Sequence, residues 1–153
     1  MATIDWCKRQ KNGIELVEPN ENLAKAYIKK AEDSLSASLI LDNNKDWKIS
    51  SLYYTMYFSV YAILMKIGVK CEIHSCTIAF VDVFLNKYLT KDEIELLNKS
   101  MKARIDVQYY TNRNISESLY KNMIENAPNF IVRCKDILNK LTEKEIQEIR
   151  NKI

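Results

Sequence analysis

The sequence has little glycine and proline, each of which occurs only twice in 153 residues. An all-β domain needs many tight turns, and tight turns depend largely on those two residue types. Their scarcity therefore predicts an all-α protein built from long helices. The chain length is typical of a single domain with one continuous core.

The sequence also lacks a long apolar run. No stretch reaches the roughly 18 residues that a membrane-spanning helix needs. Residues 1–19 carry charges throughout and do not resemble a signal peptide. We therefore expect a cytoplasmic protein without a membrane segment.

Residues that bind metals or form disulfides are few. The chain has one histidine, His74, and four cysteines, which are Cys7, Cys71, Cys76 and Cys134. Neither a C-x-x-C spacing nor a second histidine completes a zinc site, so we expect no metal ion. Glycine-rich phosphate loops are also missing, and we expect no cofactor. The cysteines are too scattered for a disulfide scaffold, which favours free thiols.

Apolar residues recur every three or four positions, a spacing that is typical of amphipathic helices. The pattern predicts an up-and-down bundle of four or five helices joined by short loops. The predicted helices begin near Glu21, Trp47, His74, Thr90 and Ser116. The second of them is apolar nearly all round, so we expect it to lie at the centre of the bundle.

Local signals refine the boundaries of these elements. Gly68 is expected to end the second helix, and Thr90 with Glu93 forms a capping box at the start of the fourth. His74 or Ser75 is the expected N-cap of the third helix. We interpret residues 1–19 as an irregular leader, residues 20–141 as the bundle and residues 142–153 as a charged helical tail.

The net charge of +3 is mildly basic and does not by itself indicate nucleic-acid binding. The position of Arg104 is more informative, because Met101, Arg104 and Gln108 fall on one side of the fourth helix. An arginine on a buried surface is costly unless it is paired or binds a ligand. An ion pair with Asp33 or Asp82 would satisfy it, and so would a phosphate or carboxylate ligand.

Asp106, Tyr109 and Tyr110 follow Arg104 within one and a half helical turns. An acid, a guanidinium group and two phenols so close together make this segment the best candidate for a functional site. Residues five apart on a straight helix differ by about 140°, so Arg104 and Tyr109 do not share a face.

The order of these motifs resembles the HEPN family. It is most similar to small archaeal and bacterial members that are often encoded beside a minimal nucleotidyltransferase. The motifs, in chain order, are Ser51-Leu52-Tyr53-Tyr54-Thr55-Met56-Tyr57, Gly68, His74-Ser75 and Arg104-Ile105-Asp106-Val107-Gln108-Tyr109-Tyr110. The resemblance covers roughly residues 20–140.

The resemblance implies a HEPN-like helical bundle that forms a homodimer through the face carrying the arginine motif. Many HEPN proteins are metal-independent ribonucleases with an R-x(4–6)-H motif, and many are toxins restrained by the partner nucleotidyltransferase. The resemblance also implies that this partner transfers AMP to a tyrosine near the motif. The expected catalytic residues are then Arg104, Asp106 and Tyr109, and the expected modification or ligand-binding residues are Tyr109 and Tyr110.

The chain departs from the ribonuclease motif, because Tyr109, Tyr110 and Thr111 stand where its histidine is expected. A phenol has a pKa near 10 and is a poor general base at neutral pH. Two functions therefore stay open. The first is a toxin-like component that binds or cleaves RNA, and the second is a non-catalytic module that binds a nucleotide or a partner. Whether the chain is an enzyme is not decided by the sequence, and an oligomer without a ligand is a third alternative.

Overall fold

The computed structural model describes residues 2–153, and seven α-helices and two short strands lie in that part of the chain. The helices are α1 (Ile4–Arg9), α2 (Glu21–Leu39), α3 (Lys45–Ile67), α4 (His74–Phe84), α5 (Lys91–Tyr109), α6 (Glu117–Lys140) and α7 (Glu143–Asn151). The strands β1 (Glu15–Leu16) and β2 (Val69–Lys70) pair in antiparallel fashion.

The helix α3 lies at the centre of the bundle, as its nearly continuous apolar surface predicts. It packs against the three other long helices, α2, α5 and α6. The predicted all-α bundle is therefore confirmed, with α1, α4 and α7 as shorter additions to it. None of the helices within residues 2–153 has both the length and the apolar character that a membrane crossing requires.

Polar side chains before the long helices explain where those helices begin. Asn20, Asn44 and Ser116 each accept a hydrogen bond from a backbone N–H in the first turn of α2, α3 and α6. The capping box of Thr90 and Glu93 is present at the start of α5, as predicted. Asn44 also explains why α3 begins at Lys45, slightly before the predicted Trp47.

The prediction of an irregular leader at residues 1–19 is wrong for two parts of that segment. Thr3 caps α1 by accepting a hydrogen bond from the backbone N–H of Trp6. Further on, β1 pairs with β2, so that Glu15 lies opposite Lys70. The partner of β1 is more than fifty residues away in the sequence, which is why the local pattern gave no sign of it.

The prediction that all four cysteines are free thiols is wrong for Cys7 and Cys76, which form a disulfide. These residues are 69 positions apart in the sequence, and the fold brings their Cα atoms to 5.7 Å. That separation suits a disulfide. Cys71 and Cys134 are free and buried.

Arg150 joins α7 to two other segments of the chain. Its Nη1 donates hydrogen bonds to the carbonyl oxygens of Val17, Ile67 and Gly68, at 2.8, 3.1 and 2.8 Å. Gly68 ends α3 with a positive φ of 87°, a conformation that glycine adopts without strain. The guanidinium group thus satisfies carbonyl groups that the end of α3 leaves without a helical partner.

We expect Arg150→Ala to lower the free energy of unfolding by about 2 kcal/mol, because it leaves part-buried carbonyl groups without a donor. Urea denaturation measures this change. Arg133→Ala is the matched control, since Arg133 is half-exposed and lies 3.7 Å from its partner Glu93. Such a pair contributes well under about 1 kcal/mol. Equal effects of the two substitutions would contradict the role assigned to Arg150.

Candidate functional site

Arg104 lies on the face of α5 that packs against the central helix α3. Its side chain is only 7% exposed. The guanidinium carbon lies 5.2 Å from the centre of the Tyr53 ring and 5.7 Å from that of Tyr54. Nη1 donates a hydrogen bond to Oε1 of Gln108 at 3.2 Å. The prediction that Arg104 faces a buried surface is therefore confirmed.

Arg104 has no carboxylate partner among the ion pairs of residues 2–153. The alternative that Asp33 or Asp82 pairs with it is not realised, and Asp33 pairs with Lys29 instead. The Nε atom of Arg104 is buried and has no hydrogen-bond acceptor. A buried charge with an unsatisfied donor is costly, so this arginine is suited to receive an anion.

His74 approaches the same place from the first turn of α4. Its Nδ1 lies 2.7 Å from the hydroxyl oxygen of Tyr53, and its ring stacks on Tyr57 with 4.1 Å between centres and 5° between planes. The prediction that His74 or Ser75 caps α4 is wrong, because Ile73 holds the N-cap position and no side chain caps this helix. The tyrosines of α3 hold the imidazole in the bundle instead.

The environment keeps His74 neutral. Burial, and then the positive charge of Arg104, lower the pKa of His74 from 6.5 to about 4. Burial also raises the pKa of the Tyr53 phenol. Both side chains are thus uncharged at neutral pH, and Arg104 carries the formal charge of the group.

Three tyrosines on successive turns of α3 fix the segment that carries His74. The Tyr53 hydroxyl contacts His74, the Tyr57 hydroxyl lies 3.4 Å from Oγ1 of Thr77, and the Tyr61 hydroxyl accepts a hydrogen bond from the backbone N–H of Cys71. Each contact joins α3 to residues 71–77. The position of His74 relative to α3 is therefore set by three independent contacts.

We call the group around the guanidinium the arginine cluster. It consists of Arg104, Gln108, Tyr53, Tyr54, Tyr57 and His74. The cluster combines one permanent cation, an unsatisfied donor and a neutral imidazole with aromatic walls. These features suit an anion with several acceptor oxygens, such as a phosphate, better than a neutral ligand. Residues 2–153 contain no set of three or more His, Cys, Asp or Glu side chains placed to bind a metal ion.

The other residues expected from the sequence lie outside the arginine cluster. Asp106 accepts a hydrogen bond from Arg113 at 2.8 Å, and the Arg113 guanidinium lies 3.5 Å from the centre of the Tyr110 ring. Tyr109 is 66% exposed at the end of α5. Within one chain, the structure does not bring Asp106, Tyr109 or Tyr110 together with Arg104. Their roles stay predictions.

Sequence reasoning missed the part played by Tyr53, Tyr54 and His74. The four-residue spacing of Tyr53, Tyr57 and Tyr61 was visible in the sequence, but it indicated only core packing. His74 was visible as the only histidine of the chain. It lies 30 positions before Arg104, and no local pattern shows that the two approach one another.

Comparison with known proteins agrees with this architecture. The family model described as the HEPN domain matches residues 24–137. The chain therefore belongs to the HEPN family, a family often related to ribonucleases or toxins. The matched residues include α3, α4 and α5, which supply the arginine cluster. A search of curated proteins finds no significant match.

We expect the imidazole of His74 to titrate well below its usual pKa of 6.5, near 4. Proton NMR can follow it without ambiguity, because the chain has a single histidine. Between pH 4 and pH 6.5, the unfolded chain therefore binds more protons at His74 than the folded chain does. The contribution of neutral His74 to the free energy of unfolding is therefore complete above about pH 6.5, and it is lost as the pH falls towards 4.

The His74→Asn variant should lose this part of the pH dependence in urea denaturation. Wild-type chain in concentrated urea is the reference for the unfolded state, and its histidine should titrate near 6.5. A midpoint near 6.5 in the folded protein would contradict the burial of His74 beside a cation.

Proposed function

We propose that this HEPN protein is the toxin-like component of a toxin–antitoxin pair with a nucleotidyltransferase, and that it acts on RNA by binding a phosphate group at Arg104. The observation that carries the proposal is a nearly fully buried arginine without a carboxylate partner and with an unsatisfied Nε. A phosphate supplies both the missing charge and the missing acceptor. Its tetrahedral oxygens match the forked donors of a guanidinium group.

His74 would assist Arg104 as a hydrogen-bond donor. The Tyr53 hydroxyl can donate and a neutral imidazole nitrogen can accept, so we assign Tyr53 as the donor to Nδ1. That hydrogen bond places the proton of the neutral ring on Nε2. The Nε2–H group can then donate to a second oxygen of a phosphate bound at Arg104.

This assignment favours the second candidate function, a non-catalytic module that binds RNA or a nucleotide. Ribonuclease chemistry needs a group that removes the proton from the attacking 2′-hydroxyl. His74 with a pKa of about 4 is a weak base, and its Nδ1 already accepts from Tyr53. The cluster of one chain therefore supplies donors for a phosphate but no strong base for cleavage.

The toxin function with cleavage would need help from a second copy of the chain. Asp106 and Tyr109, the remaining catalytic candidates, lie outside the arginine cluster of their own chain. We propose a homodimer in which the bundle faces that carry the arginine motif, residues 104–110, meet, so that these side chains approach the cluster of the other protomer. The dimer model and the binding-module model make different predictions for RNA cleavage.

The proposed partner nucleotidyltransferase would use Tyr109 as its acceptor. The phenol oxygen would attack the α-phosphorus of ATP, release pyrophosphate and lose its proton, leaving AMP on the tyrosine. Tyr109 is 66% exposed and is the more accessible acceptor, whereas Tyr110 is 44% exposed and lies against the Arg113 guanidinium. An added phosphate on α5 would repel RNA, which provides a means of inhibition.

The proposal places the protein in the cytoplasm, where RNA is available to it. The Cys7–Cys76 disulfide is unusual for that compartment in most organisms. Intracellular proteins of hyperthermophiles are the exception, since they are rich in disulfides. The disulfide therefore does not conflict with a role in the cytoplasm of such an organism.

We expect Arg104→Ala to weaken binding of single-stranded RNA by roughly 10- to 100-fold, because it removes a charged hydrogen-bonding partner of the phosphate. Fluorescence anisotropy with a labelled RNA measures the affinity. Lys102→Ala is the matched control, since Lys102 is an exposed cation on the same helix. Equal RNA affinity of wild type and Arg104→Ala would contradict the proposed phosphate site. Cleavage by wild type that disappears in Arg104→Ala supports the toxin model, and binding without cleavage supports the binding module.

We expect incubation with ATP and a nucleotidyltransferase encoded beside the gene to attach AMP to Tyr109. Mass spectrometry of proteolytic fragments locates the adduct. Tyr109→Phe should abolish it, while Tyr120→Phe should leave it unchanged. An adduct that persists in Tyr109→Phe, or no adduct at all, would count against this modification.

A further inference from the structure

A groove between α2 and α3 opens beside the arginine cluster. It is a shallow depression of about 420 Å³ that is widely open to solvent. Its wall from α2 includes Lys30, Ser34 and Ala37, and its wall from α3 includes Trp47, Tyr54 and Phe58. We call it the aromatic groove.

The aromatic side chains of this groove present flat apolar surfaces. The rings of Tyr54 and Phe58 stack with 5.3 Å between centres and 26° between planes. Trp47 stands at the start of α3 with 62% of its surface exposed. An exposed tryptophan beside two half-buried rings is a surface on which a planar group such as a base can stack.

Tyr54 belongs both to the aromatic groove and to the arginine cluster. The guanidinium carbon of Arg104 lies 5.7 Å from the centre of the Tyr54 ring, and the same ring lines the groove. A phosphate at Arg104 and a planar group in the groove would therefore be separated by a single side chain. This adjacency suits the neighbouring base and phosphate groups of one RNA strand.

The polar residues of the groove suit a nucleotide. The Nζ atom of Lys30 lies 5.1 Å from the centre of the Phe58 ring, and Lys30 is not in any ion pair of residues 2–153. It provides a positive charge near the mouth of the groove. Asp33, the acidic residue of the groove, is neutralised by Lys29. The local charge therefore favours an anionic ligand.

We propose that the aromatic groove binds an unpaired base of single-stranded RNA while Arg104 binds a neighbouring phosphate. The proposal rests on the function given above and adds the class of substrate. A base in a duplex is stacked and paired, so only an unpaired one can enter a groove between helices. Stacking is tolerant of sequence, and the groove therefore selects single strands rather than a particular base.

The two tryptophans of the chain allow a direct test. Trp6→Phe leaves Trp47 as the only tryptophan, so its fluorescence reports on the groove. Two probes are compared, a uridine oligomer and the same ribose–phosphate backbone without bases. We expect the uridine oligomer to quench Trp47 and to bind roughly tenfold more tightly than the abasic backbone. Both oligomers should lose affinity in Arg104→Ala.

Variants of the groove separate stacking from phosphate binding. We expect Phe58→Leu and Trp47→Leu to bind a labelled uridine oligomer about tenfold more weakly than wild type does. Both variants should bind the abasic backbone as wild type does. Trp47→Leu is made in the wild-type background. Trp6→Leu is the matched control, because Trp6 is exposed on α1 outside the groove.

The outcomes distinguish this inference from the function on which it rests. Equal binding of the two oligomers by wild type, or unchanged binding by both groove variants, overturns the base site alone. Failure of both oligomers to bind, or binding that is insensitive to Arg104→Ala, overturns the phosphate site and the groove together.

A second copy of the chain is the alternative ligand of the aromatic groove. A dimer by light scattering that becomes monomeric in Trp47→Leu, with RNA affinity unchanged, shows that the groove is an interface and overturns the proposal.

Discussion

The burial of α3 on nearly every side is the constraint on which the other elements depend. A helix without a polar face has to be covered all round, so α2, α5 and α6 pack against it. The helix α7 contacts its C-terminal end, and α4 contacts its tyrosines through His74 and Thr77. The phenol groups of Tyr53, Tyr57 and Tyr61 are the polar atoms that this packing must satisfy. Because they do so through residues 71–77, the core itself positions His74.

The features that depend on local pattern were predictable from the sequence. The four long helices follow from apolar spacing, and the start of α5 follows from the capping box of Thr90 and Glu93. The burial of Arg104 also follows from spacing, because Arg104 lies seven positions after Leu97 and three after Met101, which are both buried. The HEPN family could be inferred from the order of motifs, and the match over residues 24–137 confirms it.

The features that depend on contacts between distant segments could not be predicted in this way. The approach of His74 to Arg104 is one case, and the strand pairing of Glu15 with Lys70 is another. In each case the two residues are far apart in the sequence, and only the folded chain brings them together. The same reason explains the error about Cys7 and Cys76, since spacing along the chain says nothing about proximity in space. For the arginine cluster, the sequence thus identified the cation but not the aromatic walls around it.

The disulfide between Cys7 and Cys76 closes residues 7–76 into a ring, with a short segment before it and a long tail after it. The ring contains α2, α3 and the first turn of α4, and it therefore includes His74 and the tyrosines of the arginine cluster. Arg104 lies in the tail, beyond the point at which the ring closes. The arginine cluster therefore forms only when the tail packs against the ring. The contacts of Arg104 with Tyr53 and Tyr54 are contacts between these two parts of the chain.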